Sequence, residues 1–298
     1  MSERARKEGE LVALRSLLAE TPADDVIVRF NLTARIHESE ADLATAVHPH
    51  FAQATLTFSG MPVDGSRGIA MNFAGAAVKT FEHLVAVLGA DRHGIDLKAR
   101  GPVPGRAATA LQIVGTAHGS FGFILEQVDA QTETQSDLAE ILDITRELIG
   151  ASTTDDDFDE VARMSSPRTI KALGELLEVL SANSAGICLT VGPHEVDLPF
   201  KQALNAHERV HATEVTEGSE QHIGLLDGFM TSAAKFELKT DGGTIITGTV
   251  SKTQLTEVKE HFGERVACTL LKRETHRGAK VRVGYLLVSV ESAHARRF

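Results

Sequence analysis

The chain has 298 residues, 42% of them hydrophobic, and carries 30 Lys and Arg against 41 Asp and Glu, a net charge of −11. A chain of this length and composition divides into more than one domain, each able to bury a core, which excludes a disordered or fibrous polymer. Net acidity works against a chain-wide nucleic-acid surface, and an aromatic share of 5%, with no Trp and one Tyr, Tyr285, leaves little with which to stack bases.

The opening MSERARKEGE is charged and lacks the apolar stretch of a secretory signal, and no run reaches the about 18 apolar residues of a membrane span. The expected location is cytoplasmic, without membrane contact. Cys188 and Cys268 each lie in an apolar run, ICLTV and VACTLL, and read as reduced core thiols; no CxxC pair offers a cysteine metal site.

Leu11, Leu14, Leu17 and Leu18 recur at helical spacing, and Thr21-Pro22 followed by Asp24 and Asp25 reads as the start of a second helix reaching about Val47. Val28, Phe30, Leu32, Ala34 and Ile36 also alternate with polar residues as a strand would, but the cap and the continuation ESEADLATAV favour helix. Residues 1–49 therefore form a helical N-terminal arm, either a packed layer or a homo-oligomerisation device.

Residues 50–206 read as a central sheet-and-helix domain. ATLTFSG is a strand, and a helix from Ile69 to Leu88 places Phe73, Ala77, Phe81, Leu84 and Leu88 on one face. ALQIVGTA and FGFILEQV form a hairpin around His118-Gly119-Ser120. Two acidic helices (SDLAEILDITRELIG and DDFDEVARM), the helix PRTIKALGELLEVLSA and the strand AGICLTVG follow, giving strands covered on one face by helices.

Residues 207–298 begin with a long extended run from His207 to Met230. AAKFELKT, GTIITGTV, the amphipathic SKTQLTEVKEHFG, RVACTLLKR and KVRVGYLLVSV come next. Three strands, a helix and two strands is the chain order of a small OB-like barrel, with an SH3-like barrel as the alternative. Val250, Leu255, Val258, Phe262, Val266, Leu270 and Leu286 are its expected core. The fold class is thus α+β: a helical arm, a central sheet-and-helix domain and a C-terminal small β-barrel.

TPADDVI, LTFSGMPVDGSRGI, FAGAAVKTFEHLV, GPVPGR, GTAHGSFGFILE and FELKTDGGTIITGTV, taken together, resemble a group of uncharacterised bacterial proteins. The GSRGI and GSFGF segments are the most distinctive part of the resemblance, which implies no activity for any residue and favours the helical reading of the second N-terminal segment.

Charge is unevenly spread. Residues 207–298 hold 13 Lys and Arg and 12 Asp and Glu, leaving 17 and 29 in the preceding 206, and from Asp129 to Glu160 Arg146 is the only cation among eleven carboxylates. Lys272, Arg273, His276, Arg277, Lys280 and Arg282 surround the turn at Arg277-Gly278, which in OB order is the loop joining the fourth and fifth strands, a region used for oligonucleotides. A basic hairpin remote from the acidic helices is the expected contact for weakly held single-stranded nucleic acid or for a protein partner. Phe229, Phe236 and Tyr285 are the aromatics available for stacking, although period-two placement favours the core for Phe236.

The two Gly-Ser-x-Gly-apolar turns read as turns that need positive φ or close backbone approach; Gly65, Ser66, Gly68, Gly119, Ser120 and Gly122, with Arg106, are also candidates for an anion nest. No nucleophile elbow accompanies Ser66, Ser120 or His118, so no catalytic residue is assigned. His207 and His211 are four apart without the HExxH order, His48 and His50 flank Pro49, and the string from Asp155 to Glu160 lacks calcium-loop spacing and reads as a solvated helix N-terminus. No metal or cofactor is called for. The function read from the chain is non-enzymatic binding or regulation through the barrel. The competing reading is an enzyme, acting on a nucleotide-like anion at the Gly-Ser turns or by metal-assisted hydrolysis at the acidic string.

Overall fold

The computed structural model describes residues 11, 13–19, 21–22, 28–29, 31–36, 52–95, 97–98, 100–117, 121–128, 132–230 and 234–293. Helix and sheet are mixed, and the chain falls into two compact units, Met1–His50 and Phe51–Phe298.

In the first unit residues 13–19 and 31–36 are helical, so the alternation leading to Ile36 resolves as helix among the described residues. Arg29 Nη1 donates to the carbonyls of Leu18 (3.2 Å) and Thr21 (2.7 Å), satisfying acceptors that a helix end leaves open. The continuation to Val47 lies outside the described residues.

The second unit begins with a sheet of order β4-β5-β1-β6-β7, antiparallel throughout, built from β1 (Gln53–Gly60), β4 (Leu111–Ala117), β5 (Phe121–Gln127), β6 (Ala185–Val191) and β7 (His194–Leu198). A short hairpin, β2 (Val63–Asp64) and β3 (Gly68–Ile69), follows β1. The register places Leu56 opposite Phe123 on one side and Leu189 on the other, so one face is apolar. That face is covered by α1 (Met71–Arg92), α2 (Thr132–Ala151), α4 (Pro167–Ala182) and α5 (Phe200–His211); α3 (Asp155–Ala162) is a short bridge between α2 and α4.

Phe73, Ala77, Phe81, Leu84 and Leu88 of α1 are all buried, as their spacing requires. Among the described residues α1 is also the one helix whose length and mean hydropathy would let it cross a membrane; Lys79, Glu82 and His83 interrupt its apolar residues, and 61% of its apolar window is buried within the fold, as in a core helix.

α5 corrects a sequence expectation. The stretch from His207 to His211, expected as the start of an extended run, is the end of a helix whose Ala203, Ala206 and Val210 are buried at three- and four-residue spacing. The chain becomes extended only at β8.

The last strands are β8 (Glu214–Met230), β9 (Lys235–Thr240), β10 (Ile245–Val250), β11 (Arg265–Arg277) and β12 (Lys280–Ser292), with α6 (Leu255–Glu260) between β10 and β11. They pair in the order β10-β12-β11-β8-β9, and β9 pairs with β10, so the ladder closes on itself. Every pairing is antiparallel except β10 with β12, where Thr249 and Val250 meet Leu286 and Leu287. Leu226, Phe236, Leu238, Val250, Val258, Val266 and Leu270 fill the interior. Phe262, expected there, is 54% exposed, because it follows α6 in the turn that hydrogen-bonds back to β8 through Gly263 N–H and the Leu226 carbonyl (2.9 Å).

Candidate functional site

The basic hairpin is made by β11 and β12, and the fold lays it against the acidic helices rather than away from them. α3 begins at Thr154, whose Oγ1 accepts from the Asp157 N–H (3.3 Å) and donates to Asp157 Oδ2 (2.6 Å), and Asp155, Asp156 and Asp157 occupy its first turn. Carboxylates suit a helix N-terminus, but three in sequence repel one another and draw in cations.

Arg277 provides one such cation. Its Nη1 donates to Asp155 Oδ1 (2.6 Å), and its Nη2 pairs with Asp159 Oδ1 (2.7 Å) and donates to the Asp155 carbonyl (3.3 Å). Lys280 stands 3.6 Å from Asp159 and 4.0 Å from Asp156. Arg209 of α5, not anticipated from the sequence, donates to Asp155 Oδ1 (2.5 Å) and to the Ser152 carbonyl. These contacts, from Arg209 first and Arg277 second, hold the Asp155 carboxyl down to about 2. The acidic string is therefore a helix N-terminus whose Asp155, Asp156 and Asp157 face solvent, as expected, while Asp159 is buried and, with Asp155, is engaged by the chain's own cations.

Deeper in the seam, Arg273 is 4% exposed. It donates from Nη2 to Asp91 Oδ1 (2.6 Å), from Nε to Glu217 Oε1 (2.8 Å) and from Nη1 to the Met164 carbonyl. Burial works against its charge, and Asp91 and then Glu217 more than offset that, so its pKa is raised. Asp91 ends α1, where a carboxylate opposes the helix dipole. It is compensated by Arg273, by the Ser166 N–H (2.8 Å) and by the Thr169 hydroxyl (3.0 Å) at the start of α4. β12 presses equally close: a Cβ at Gly284 would stand 2.9 Å from the carbonyl carbon of Arg163. A cavity of about 230 Å³, lined by Leu88, Asp91, Ile141, Met164, Arg273 and Leu286 among others, lies along this seam.

The remaining cations of the hairpin differ in partner. Lys272 bonds Glu274 (2.8 Å) and Glu220 (3.3 Å), which raise its pKa in that order. His276 lies 3.7 Å from Glu274, and Arg282 is exposed. The expectation of a basic tip remote from the acidic helices is thus corrected for Arg273, Arg277 and Lys280. The signal in the sequence was the deficit itself, eleven carboxylates with Arg146 as their only local cation. The aromatics face inward: Phe236 is buried, and Phe229 and Tyr285 pack against the interior of the closed sheet.

The Gly-Ser turns are not alike. Gly65 has φ +53°, as a tight turn demands, whereas Gly68 has neither positive φ nor any atom near the position of a Cβ, which corrects the expectation for that residue. At Gly122 a Cβ would stand 2.6 Å from Thr57 Cα, so close approach of β5 to β1 excludes a side chain. Ser66 is exposed, and Arg106 is held by Glu82 of α1 (2.7 Å). Gly119 and Ser120 lie outside the described residues. His207 and His211 share one face of α5, with ring centroids 6.0 Å apart, and among the described residues no three His, Cys, Asp or Glu converge as a metal would need.

The chain matches no known protein family, no curated protein and no solved structure.

Proposed function

We propose that this chain is a non-enzymatic binding or adaptor protein of the cytoplasm, and that its C-terminal sheet is an OB-like barrel whose outer face meets a protein partner. Support for the barrel type comes from the ring order. Counting β8 to β12 as first to fifth, the first strand pairs with the second and fourth, the third pairs with the fifth in parallel, and a helix joins third to fourth. That arrangement favours the OB-like over the SH3-like reading.

The partner reading rests on one row of side chains. Leu225 of β8, Lys239 of β9 and Ile245 of β10 stand side by side in register, with Leu225 37% and Ile245 58% exposed and Ile223, 46% exposed, two residues along. This is the face formed with the second and third strands, the surface OB-folds use for ligands. It offers apolar contact flanked by Lys239 and carries no aromatic for base stacking. The hairpin, by contrast, spends Arg273 and Arg277 on carboxylates of its own chain.

A photo-crosslinking residue at Ile245 of the full chain, compared with one at Met61 (85% exposed), tests the proposal. Discrete protein adducts at 245, absent at 61 and lost on Leu225→Asp, support it; no adduct at 245, or the same adducts at both positions, rejects it. Low-salt binding of a single-stranded oligonucleotide, weakened by Lys280→Ser with Arg282→Ser, would move the function to nucleic acid.

A further inference from the structure

A second cleft, of about 240 Å³, lies between α1, the segment at residues 100–101 and α4, lined by His83, Arg100, Gly101, Arg168, Lys171 and Glu175 with Ala172. Its distinguishing group is Arg168, which is 9% exposed. The guanidinium donates to the carbonyls of Lys98 (3.1 Å) and Gly101, and among the described residues it makes no ion pair. Carbonyl dipoles orient such a group, but they do not cancel a buried positive charge, which is costly unless an anion stands near it.

The lining has too few anions. Arg100 likewise makes no ion pair with a described residue, and the one carboxylate in the lining, Glu175, is 3.9 Å from Lys171 in an exposed pair that is 62% and 41% exposed. Such a pair is weak and water-screened, so Lys171 can turn to another partner at little cost. Burial is the main cause that pushes His83 below the usual imidazole range; Glu175 opposes it, and Arg168, Arg106 and Lys171 each add a smaller push in the same direction as burial.

We propose that this cleft is a binding site for a phosphoryl dianion, with Arg168 as its buried fixed charge and Arg100 and Lys171 closing over the outer oxygens. Three donors from two elements suit a group with three equivalent oxygens, and the planar fork of arginine suits it further. The cleft has room for a phosphoryl group and a small organic substituent, so free phosphate and a small phosphomonoester share the recognition chemistry. The site is independent of the outer face of the closed sheet.

Calorimetry on the full chain at low ionic strength, with inorganic phosphate and glycerol 3-phosphate as separate probes, tests the site. Binding of either probe should weaken at least about tenfold in Arg100→Gln and in Lys171→Gln, the loss expected for one charge-assisted contact. It should strengthen in Glu175→Gln and stay unchanged in Arg282→Gln. These variants change half-exposed or exposed side chains, so they keep the fold where Arg168→Met could lose it. Tighter binding of the ester than of phosphate identifies a metabolite as the natural source, and the reverse identifies the free ion. Absence of binding to millimolar probe, or equal binding in Arg100→Gln, Lys171→Gln and the unaltered chain, overturns the proposal.

Discussion

Arg273 Nη2 donates to Asp91 Oδ1 at 2.6 Å across 182 residues of sequence, and both side chains are nearly out of water, at 4% and 11% exposure. The contact ties the last turn of α1 to the middle of β11, and through Ser166 and Thr169 to the first turn of α4. Three elements therefore share one carboxylate.

Breaking that contact from one side leaves a buried charge without its partner. Arg273→Met should destabilise the chain by about 3–5 kcal/mol, and Asp91→Asn by a similar amount, in urea unfolding followed by circular dichroism. The double variant should lose much less than the sum of the two, because it leaves neither charge stranded. Additive losses would show that the two groups act separately.

The glycines of the two Gly-Ser turns should part company. Gly122→Val forces a Cβ against β1 and should cost about 2 kcal/mol or more, whereas Gly68→Val should stay within about 0.5 kcal/mol, in the same unfolding measurement. Equal costs would place the constraint in the turn sequence rather than in strand packing.

The contact of Asp155 with Arg209 and Arg277 should be acid-sensitive in one direction. The Asp155 carboxyl is held below its ordinary 3.8, at about 2, so its deprotonated form is the one the fold prefers. Its stabilisation is complete above about pH 4 and is lost as pH falls through about 2. Nitrogen-15 shifts of the Arg277 and Arg209 side chains, titrated from pH 5 to pH 1.5, should move with this midpoint, and Asp155→Asn should abolish the transition. A midpoint near 4 would mean that the carboxylate is free in solution.

Cys268 is buried, and burial pushes its thiol up to about 11. Thiolate is then scarce at neutral pH, so a disulfide-exchange reagent should label Cys268 only after urea is added. Labelling in the native chain at the rate of a free thiol would mean that β11 opens away from the interior.

The sequence by itself determined the elements whose signals are local. The helical spacing of Phe73, Ala77, Phe81, Leu84 and Leu88 sufficed for α1, because burial of one face imposes the same period on the residues that form it. The order of strands and helix after Thr213 was legible for the same reason, as was the acidic string from Asp155 as a helix start. Only the tertiary structure decided how those pieces use their charges. Arg277 reaches Asp155 across 122 residues, and Coulomb attraction between groups so far apart in sequence imposes no spacing that a reader of the chain could detect. The same holds for Gly122, excluded from bearing a side chain by β1, and for Phe262, whose apolar character suited the interior until the turn after α6 carried it outside. Sequence pattern reports which face of an element is apolar, and packing decides what that face, and every charge beside it, will meet.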